Sequence, residues 1–257
     1  MLEILFGIAT NANTACSFNP ETGEIKKFDI HPFNFNNLQA TVEEIFIQLL
    51  QKIPSGSVPG WTVWSGNFGD DEKKQLFEVA EYYNFKKIYF INVEGAWSLN
   101  LLSKFNKKIE ENEKVALIFD LGKIVEGNLY RSLDGKLVRV RMTYQNANGK
   151  LTRKVVEEFR SKFIKGRKCD TVLVEYYKEP INYRKYFNNR TVISIPYDKF
   201  NTADGALIKA RNLQGESPFV NHEIITKTDT SLDVIDYESS PPPSVEKVKP
   251  HSIIIEA

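Results

Sequence analysis

The residues able to do chemistry fall in four short stretches. One is Val115-Ala116-Leu117-Ile118-Phe119-Asp120-Leu121-Gly122, five apolar residues without alternation, then an acid and a glycine. Such a run suits a strand buried on both faces, although period alone does not exclude a helix. Asp120 and Gly122 then stand at the strand's end, where α/β folds place phosphate and metal. Lys123 follows and could meet a phosphate as a point charge. A second stretch, Gly7-Ile8-Ala9-Thr10-Asn11-Ala12-Asn13-Thr14, is a break of small and turn-forming residues between two extended segments. The other two are Glu175-Tyr176, after the apolar Thr171 to Val174, and Ala203-Asp204-Gly205, near the start of a helical pattern.

Each candidate also has a plainer reading. An isolated acid at a strand end is more often a turn former, which is the preferred reading of Asp120. A lysine such as Lys123 is ordinarily solvated. Thr202-Ala203-Asp204 reads as a helix cap before it reads as a ligand contact. Glu175, Tyr176 and Tyr177 either fill a cleft or form a surface turn, and the sequence does not choose between them. His31, His222 and His251 lie far apart without ligand spacing. The aromatics from Tyr176 and Tyr177 to Tyr183, Tyr186 and Phe187 alternate with Lys178, Arg184 and Lys185 and could stack bases. With 34 basic against 33 acidic residues, no broad basic footprint supports nucleic acid as a partner.

The elements that would position these residues follow from periodicity. Leu2 to Ile8, Thr14 to Phe18 and Glu24 to Ile30 read as a three-strand meander, with a turn at Pro20-Glu21-Thr22-Gly23. A helix from about Leu38 to Lys52 carries Val42, Ile45, Phe46, Leu49 and Leu50 at helical spacing and stops at Pro54. Gly60 to Trp64 is a strand, Asp71 to Tyr83 a helix with acids in its first turn, Lys87 to Val93 a strand and Glu94 to Phe105 a helix. The pattern then starts again. Val115 to Phe119, Val125 to Leu133 and Lys136 to Thr143 form a second meander, turning at Asp134-Gly135. Leu151 to Ile164 is an amphipathic helix, Thr171 to Val174 a strand, Ile181 to Phe187 a short helix, Thr191 to Ile195 a strand and Asp204 to Leu213 a last helix. The expected class is α/β with an internal duplication of architecture.

In this order the stretches resemble the actin-like ATPases, which have a ribonuclease-H-like fold, and within them the nucleotide-binding domain of the seventy-kilodalton heat-shock chaperones. Gly7-Ile8 with Cys16 resembles the first phosphate hairpin of that family. Trp61-Thr62-Val63 with Asn67 and Asp71-Glu72-Lys73-Lys74 is similar to the strand and helix after it. Asn84 to Ile88 with Ile91-Asn92, continued by Ala96 to Leu99, resembles the segment before and into the interlobe helix. Leu117 to Gly122 is similar to the second phosphate hairpin, Cys169 to Val174 to the strand before the adenosine loop, and Ala203 to Leu207 to the final helix. The resemblance runs collinearly over about residues 2–212. It implies two lobes, 1–114 and 115–227, with a tail at 228–257, and an ATP site with magnesium in a working member.

The departures from that pattern imply that the site no longer works. Where the family has an acid, a glycine and hydroxyl residues in the first hairpin, this chain has Ala9, Asn11, Ala12 and Asn13, and Thr14 is one position off. The acid serves the metal's water shell, and an alanine supplies no such charge. In the second hairpin Gly122 stands alone, followed by Lys123, Ile124 and Val125; β-branched residues do not readily take the positive φ that a glycine run provides. Glu175 and Tyr176 replace a glycine pair at the adenosine loop. The short connections before Trp61 and Cys169 imply that the outer subdomain of each lobe is missing, and with the first of them the catalytic lysine. Phosphoryl transfer rests on positioning and charge neutralisation, so these losses together imply a pseudo-ATPase. The expectation is therefore a non-catalytic protein-interaction or scaffold module without cofactor or metal; the alternative is a reduced chaperone-like protein that still binds ATP with magnesium.

Composition bounds the setting. Two cysteines give neither a disulfide framework nor a metal spacing, the first residues show no signal-peptide pattern, and no apolar run reaches transmembrane length. A cytoplasmic protein is expected, with a nuclear one as the lesser alternative. Residues 228–257 are polar, then proline-rich, and end in Ile253-Ile254-Ile255, an apolar β-branched set able to add to a sheet edge of another protein or of this one.

Overall fold

The computed structural model describes residues 1–105, 108–147, 152–166, 168–177, 182–187, 191–216 and 223–225. The tail 228–257 with Ile253, Ile254 and Ile255 lies outside these residues.

Two compact units each hold one mixed sheet. In the first, β1 (Leu2–Ala9), β2 (Thr14–Phe18) and β3 (Ile25–Asp29) form the antiparallel meander. Helix α1 (Leu38–Leu50) leads to β4 (Ser57–Ser65), α2 (Asp70–Tyr82) to β5 (Ile88–Ile91), and α3 (Val93–Ser103) follows. β4 and β5 join the sheet in parallel, giving the order β3-β2-β1-β4-β5. The second unit repeats the scheme with β6 (Lys114–Asp120), β7 (Ile124–Leu133), β8 (Lys136–Asn146), α4 (Arg153–Ile164), β9 (Thr171–Tyr176), α5 (Arg184–Phe187) and β10 (Val192–Pro196), and α6 (Asn201–Leu213) follows in the chain. Its order is β10-β9-β6-β7-β8, extended by β11 (Glu223–Ile225), which pairs in parallel with β8. The fold is thus α/β, with one strand plan used in both units. In both halves a single α-helix links the meander to the fourth strand, as the short connections predict.

Strand β1 is buried on both faces, which is why its sequence does not alternate in polarity. Ile4, Phe6 and Ile8 pack with Val42, Ile45, Phe46 and Leu49 of α1 and Leu76 of α2. The intervening Leu5 and Ala9 pack with Ala203, Ala206, Leu207 and Ala210 of α6. Each fully buried large aliphatic adds about 1.5–3 kcal/mol, so both faces contribute to stability. In the second sheet Ala116 and Ile118 of β6 and Val172 and Val174 of β9 pack with Val156, Phe159 and Phe163 of α4. Gly127 of β7 lies under these rings: a Cβ there would stand 2.6 Å from Phe159 Cζ. Arg141 of β8 donates through Nη1 to the Phe163 carbonyl (3.3 Å), satisfying the C-terminal end of α4.

Three expectations shift. Placed by position in the second lobe, α6 packs on the first sheet, and the first unit takes it up; the boundary between the units falls between Asn100 and Leu101 rather than at 114. Helix α6 also begins at Asn201, with Phe200 as N-cap and no side-chain cap, so Thr202 and Asp204 lie inside the first turn instead of capping it. Strand β9 runs two residues past Val174 and takes in Glu175 and Tyr176, which removes the surface-turn reading of that pair. In each case a long-range packing partner decides what local sequence leaves open.

Candidate functional site

In the first unit the β1–β2 hairpin is tied at every candidate position. Gly7 lies mid-strand opposite Cys16 and Val63. A Cβ on Gly7 would collide with the Leu207 amide nitrogen and the Ala203 carbonyl oxygen of α6. Its glycine character therefore serves close strand–helix packing. Ala9 has no exposed surface and faces the same helix. A carboxylate there would be placed in an apolar layer, with the penalty that follows. At the turn, the amide and hydroxyl of Thr10 both donate to the Ser65 carbonyl (3.1 and 3.0 Å). Asn11 is exposed, and Asn13 takes a left-handed φ of 51° that asparagine tolerates better than most. The Asn13 side-chain oxygen accepts from the Phe33 amide (2.9 Å) and its carbonyl from Ile30 (3.0 Å). The buried Thr14 hydroxyl donates to the Lys199 carbonyl (3.4 Å).

Asp204 and Gly205 of α6 serve the same unit. The Asp204 carboxylate accepts from the Cys16 thiol (3.2 Å) and pairs with Lys27 Nζ (2.5 Å), joining α6 to neighbouring residues of β2 and β3. Gly205 marks the crossing of α6 with α3, since a Cβ there would collide with the Ala96 carbonyl. Asn92 starts α3 by accepting the Gly95 amide on its side chain (2.6 Å).

In the second unit Asp120 closes the β6–β7 turn. Its Oδ1 accepts from the Gly122 amide (3.0 Å) and its Oδ2 from the Tyr183 hydroxyl (3.1 Å). Its carbonyl accepts from the Tyr177 amide (2.9 Å). The residue is 5% exposed, and burial pushes its carboxyl above the usual range; the Gly122 and Tyr183 hydrogen bonds oppose that shift. The Tyr183 phenol is pushed up by burial and by the facing Asp120 carboxylate. Gly122 alone in this turn has positive φ (77°), while Lys123 is exposed and Ile124 already begins β7. The turn is tight, with the Leu121 amide bonded to the Ile124 carbonyl (2.9 Å). Glu175 is 2% exposed beside Phe119 and Ile195 in register. Tyr176 accepts the Tyr197 amide at its carbonyl (2.8 Å), and Tyr177 places its ring 5.4 Å from that of Tyr197.

Tyr183 is the residue that sequence reasoning misassigned. Grouped there with aromatics able to stack bases, it is 1% exposed and packs with Phe187 and Val174. Its bond to Asp120 spans 63 residues, and no local signal announces it. Lys178 of the same stretch lies outside the described residues. Among those residues no group of three or more histidines, cysteines and carboxylates is placed to hold a metal ion, and no helix is long and apolar enough to cross a membrane.

No protein-family model matches this chain, and no curated protein matches it. Among solved structures it is similar to the inorganic polyphosphate/ATP-glucomannokinase from Arthrobacter sp. strain KM, at 13% identity and TM-score 0.46 over 82% of this chain and 99% of that one. It is similar also to the ethanolamine utilization protein EutJ from Carboxydothermus hydrogenoformans, at 10% identity and TM-score 0.44 over 80% and 89%. A Ppx/GppA phosphatase from Aquifex aeolicus matches at 11% identity and TM-score 0.41 over 68% and 67%. At such identities a likeness concerns fold alone, and the fold rests here on the repeated strand order and register of the chain itself.

Proposed function

We propose that this chain is a non-catalytic, reduced relative of the heat-shock chaperone nucleotide-binding domain, acting as a protein-interaction module. The observation that carries the reading is the state of Asp120. Both its carboxylate oxygens accept hydrogen bonds from the protein, so the one acid retained at a phosphate-hairpin position holds a turn together. The positions of the first hairpin agree with it: Ala9 faces an apolar helix surface, and the hydroxyls of Thr10 and Thr14 are bonded to backbone carbonyls. The collinear order of short stretches from Gly7 to Leu207 supports the chaperone kinship within the actin-like fold.

A thermal-shift titration with ATP, ADP and magnesium tests this. Ligand that binds only the native state adds RT ln(1 + [L]/Kd), about 2.7 kcal/mol at a hundredfold excess over Kd. No shift at millimolar nucleotide is expected; a magnesium-dependent rise in Tm with phosphate release would establish the ATP-binding alternative. Pulldown with the full chain and with residues 228–257 removed then tests the tail as a partner site, with loss of partners expected for the shortened chain.

A further inference from the structure

Helices α1 and α2 leave a groove of about 360 Å³ on the surface of the first unit, lined by Gln39, Glu43, Gln75, Glu78, Tyr82 and Tyr83 among others. Its electrostatics are one-sided. Helix α1 contains Glu43 and Glu44 and no lysine or arginine, and α2 ends with Glu78 and Glu81 flanking its last turns. The lysines of α2, Lys73 and Lys74, stand toward its start, and Lys73 pairs with Asp70 (3.6 Å). No residue lining the groove is a cation among the described residues. Helix α2 ends at the groove, and the partial negative charge of its C-terminus adds to that of the carboxylates, whereas α1 lines the groove with its first turns.

The aromatic side of the groove is unusual in its exposure. Tyr82 is 84% exposed, although a tyrosine ring ordinarily covers apolar surface. It is set edge-on to Tyr83, ring centroids 5.1 Å apart, and Tyr83 is itself stacked on Phe46 of the core at 6.1 Å. Tyr82 therefore stands on a fixed base with an open face. The phenol of Tyr83 is pushed up by its surroundings, first by burial and then by Glu43, Tyr82 and Glu44, which agrees with a negative local field. An open aromatic face beside carboxylates suits an ammonium or guanidinium group, which gains from the ring quadrupole and from the charges together.

We propose that the α1–α2 groove docks a lysine- or arginine-bearing peptide segment of another protein, its cation seated between the Tyr82 ring and the carboxylates of Glu43 and Glu78. The proposal rests on the reading of the chain as an interaction module and names the class of partner. It does not depend on whether nucleotide binds.

The test is fluorescence anisotropy of the full-length protein with a labelled glycine-spaced lysine/arginine peptide, beside its glutamate counterpart. Binding of the basic probe alone is expected, weakening as salt rises through about 0.1–0.5 M as exposed charges are screened. Tyr82→Ala should weaken it about two- to fivefold, the range of an exposed cation–π contact. Glu43→Gln with Glu78→Gln should weaken it further and flatten the salt dependence. Both variants change exposed or half-exposed side chains, and unchanged urea midpoints confirm that they fold. Equal binding by wild type and variants, or no binding of the basic probe, overturns the proposal. Competition by free spermidine as effective as by unlabelled peptide would also overturn it, by assigning the groove to small cations. A nucleotide titration of Tyr82→Ala separates the two readings: only the module reading fails if nucleotide binds, and only the groove fails if the probe does not.

Discussion

Asp120 is buried and holds two donors, and the donor least expected from sequence is the easier one to remove. Tyr183→Phe takes away the hydroxyl and leaves Oδ2 buried without that bond, a change that costs about 1–3 kcal/mol. A fall of that size should appear in the urea midpoint at constant m-value, and an unchanged midpoint would show that the contact contributes nothing. Asp120→Asn probes the charge itself. Because the folded carboxyl is raised above its ordinary value of 3.8, its favourable contribution is complete below that value and is lost as pH rises through the raised one. The stability of the wild type relative to Asp120→Asn should therefore decline between these two values and then level off. A relative stability that rises with pH would mean that the hydrogen bonds outweigh burial. The acid, the glycine and the tight turn between them were legible in the run from Val115 to Gly122, because turn chemistry is local. Tyr183 was not, because its partner is 63 residues away.

At the scale of elements, uninterrupted apolar strands and helical spacing placed nearly every strand and helix within a few residues, and the repeat of meander, helix, strand, helix, strand, helix was visible without coordinates. What the sequence left open was the destination of α6. Its small residues Ala203, Gly205, Ala206 and Ala210 read locally as a helix of ordinary amphipathy, yet they let its backbone lie directly on β1 and α3. Gly7, taken as a phosphate-hairpin glycine, proves to be half of that contact. Replacing either glycine tests the packing. Gly205→Ala and Gly7→Ala each drive a methyl into backbone atoms, which cannot rotate away, so the loss belongs at the upper end of about 1–3 kcal/mol. Gly23→Ala is the comparison: its φ is positive at 70°, unlike theirs, but its Cβ would meet nothing within 4 Å. Denaturant midpoints should fall more for the two packing glycines than for Gly23, and the reverse order would contradict a close approach of α6.

Across the whole molecule, two copies of one strand order carry different residues at the turn that follows the first strand of each. The first copy offers Ala9, with Thr10 and Thr14 bonded to carbonyls, and the second offers an acid committed to its own turn. Near-neutral charge, 34 basic to 33 acidic residues, gives no long-range field to draw a polyanion, and a triphosphate is one. The most direct measurement is a nitrogen–proton correlation spectrum of the labelled full chain, titrated with ATP and magnesium and followed at the amides of Thr14 and Gly122. Neither amide is expected to move at millimolar nucleotide. Saturable shifts of both, dependent on magnesium, would contradict the account.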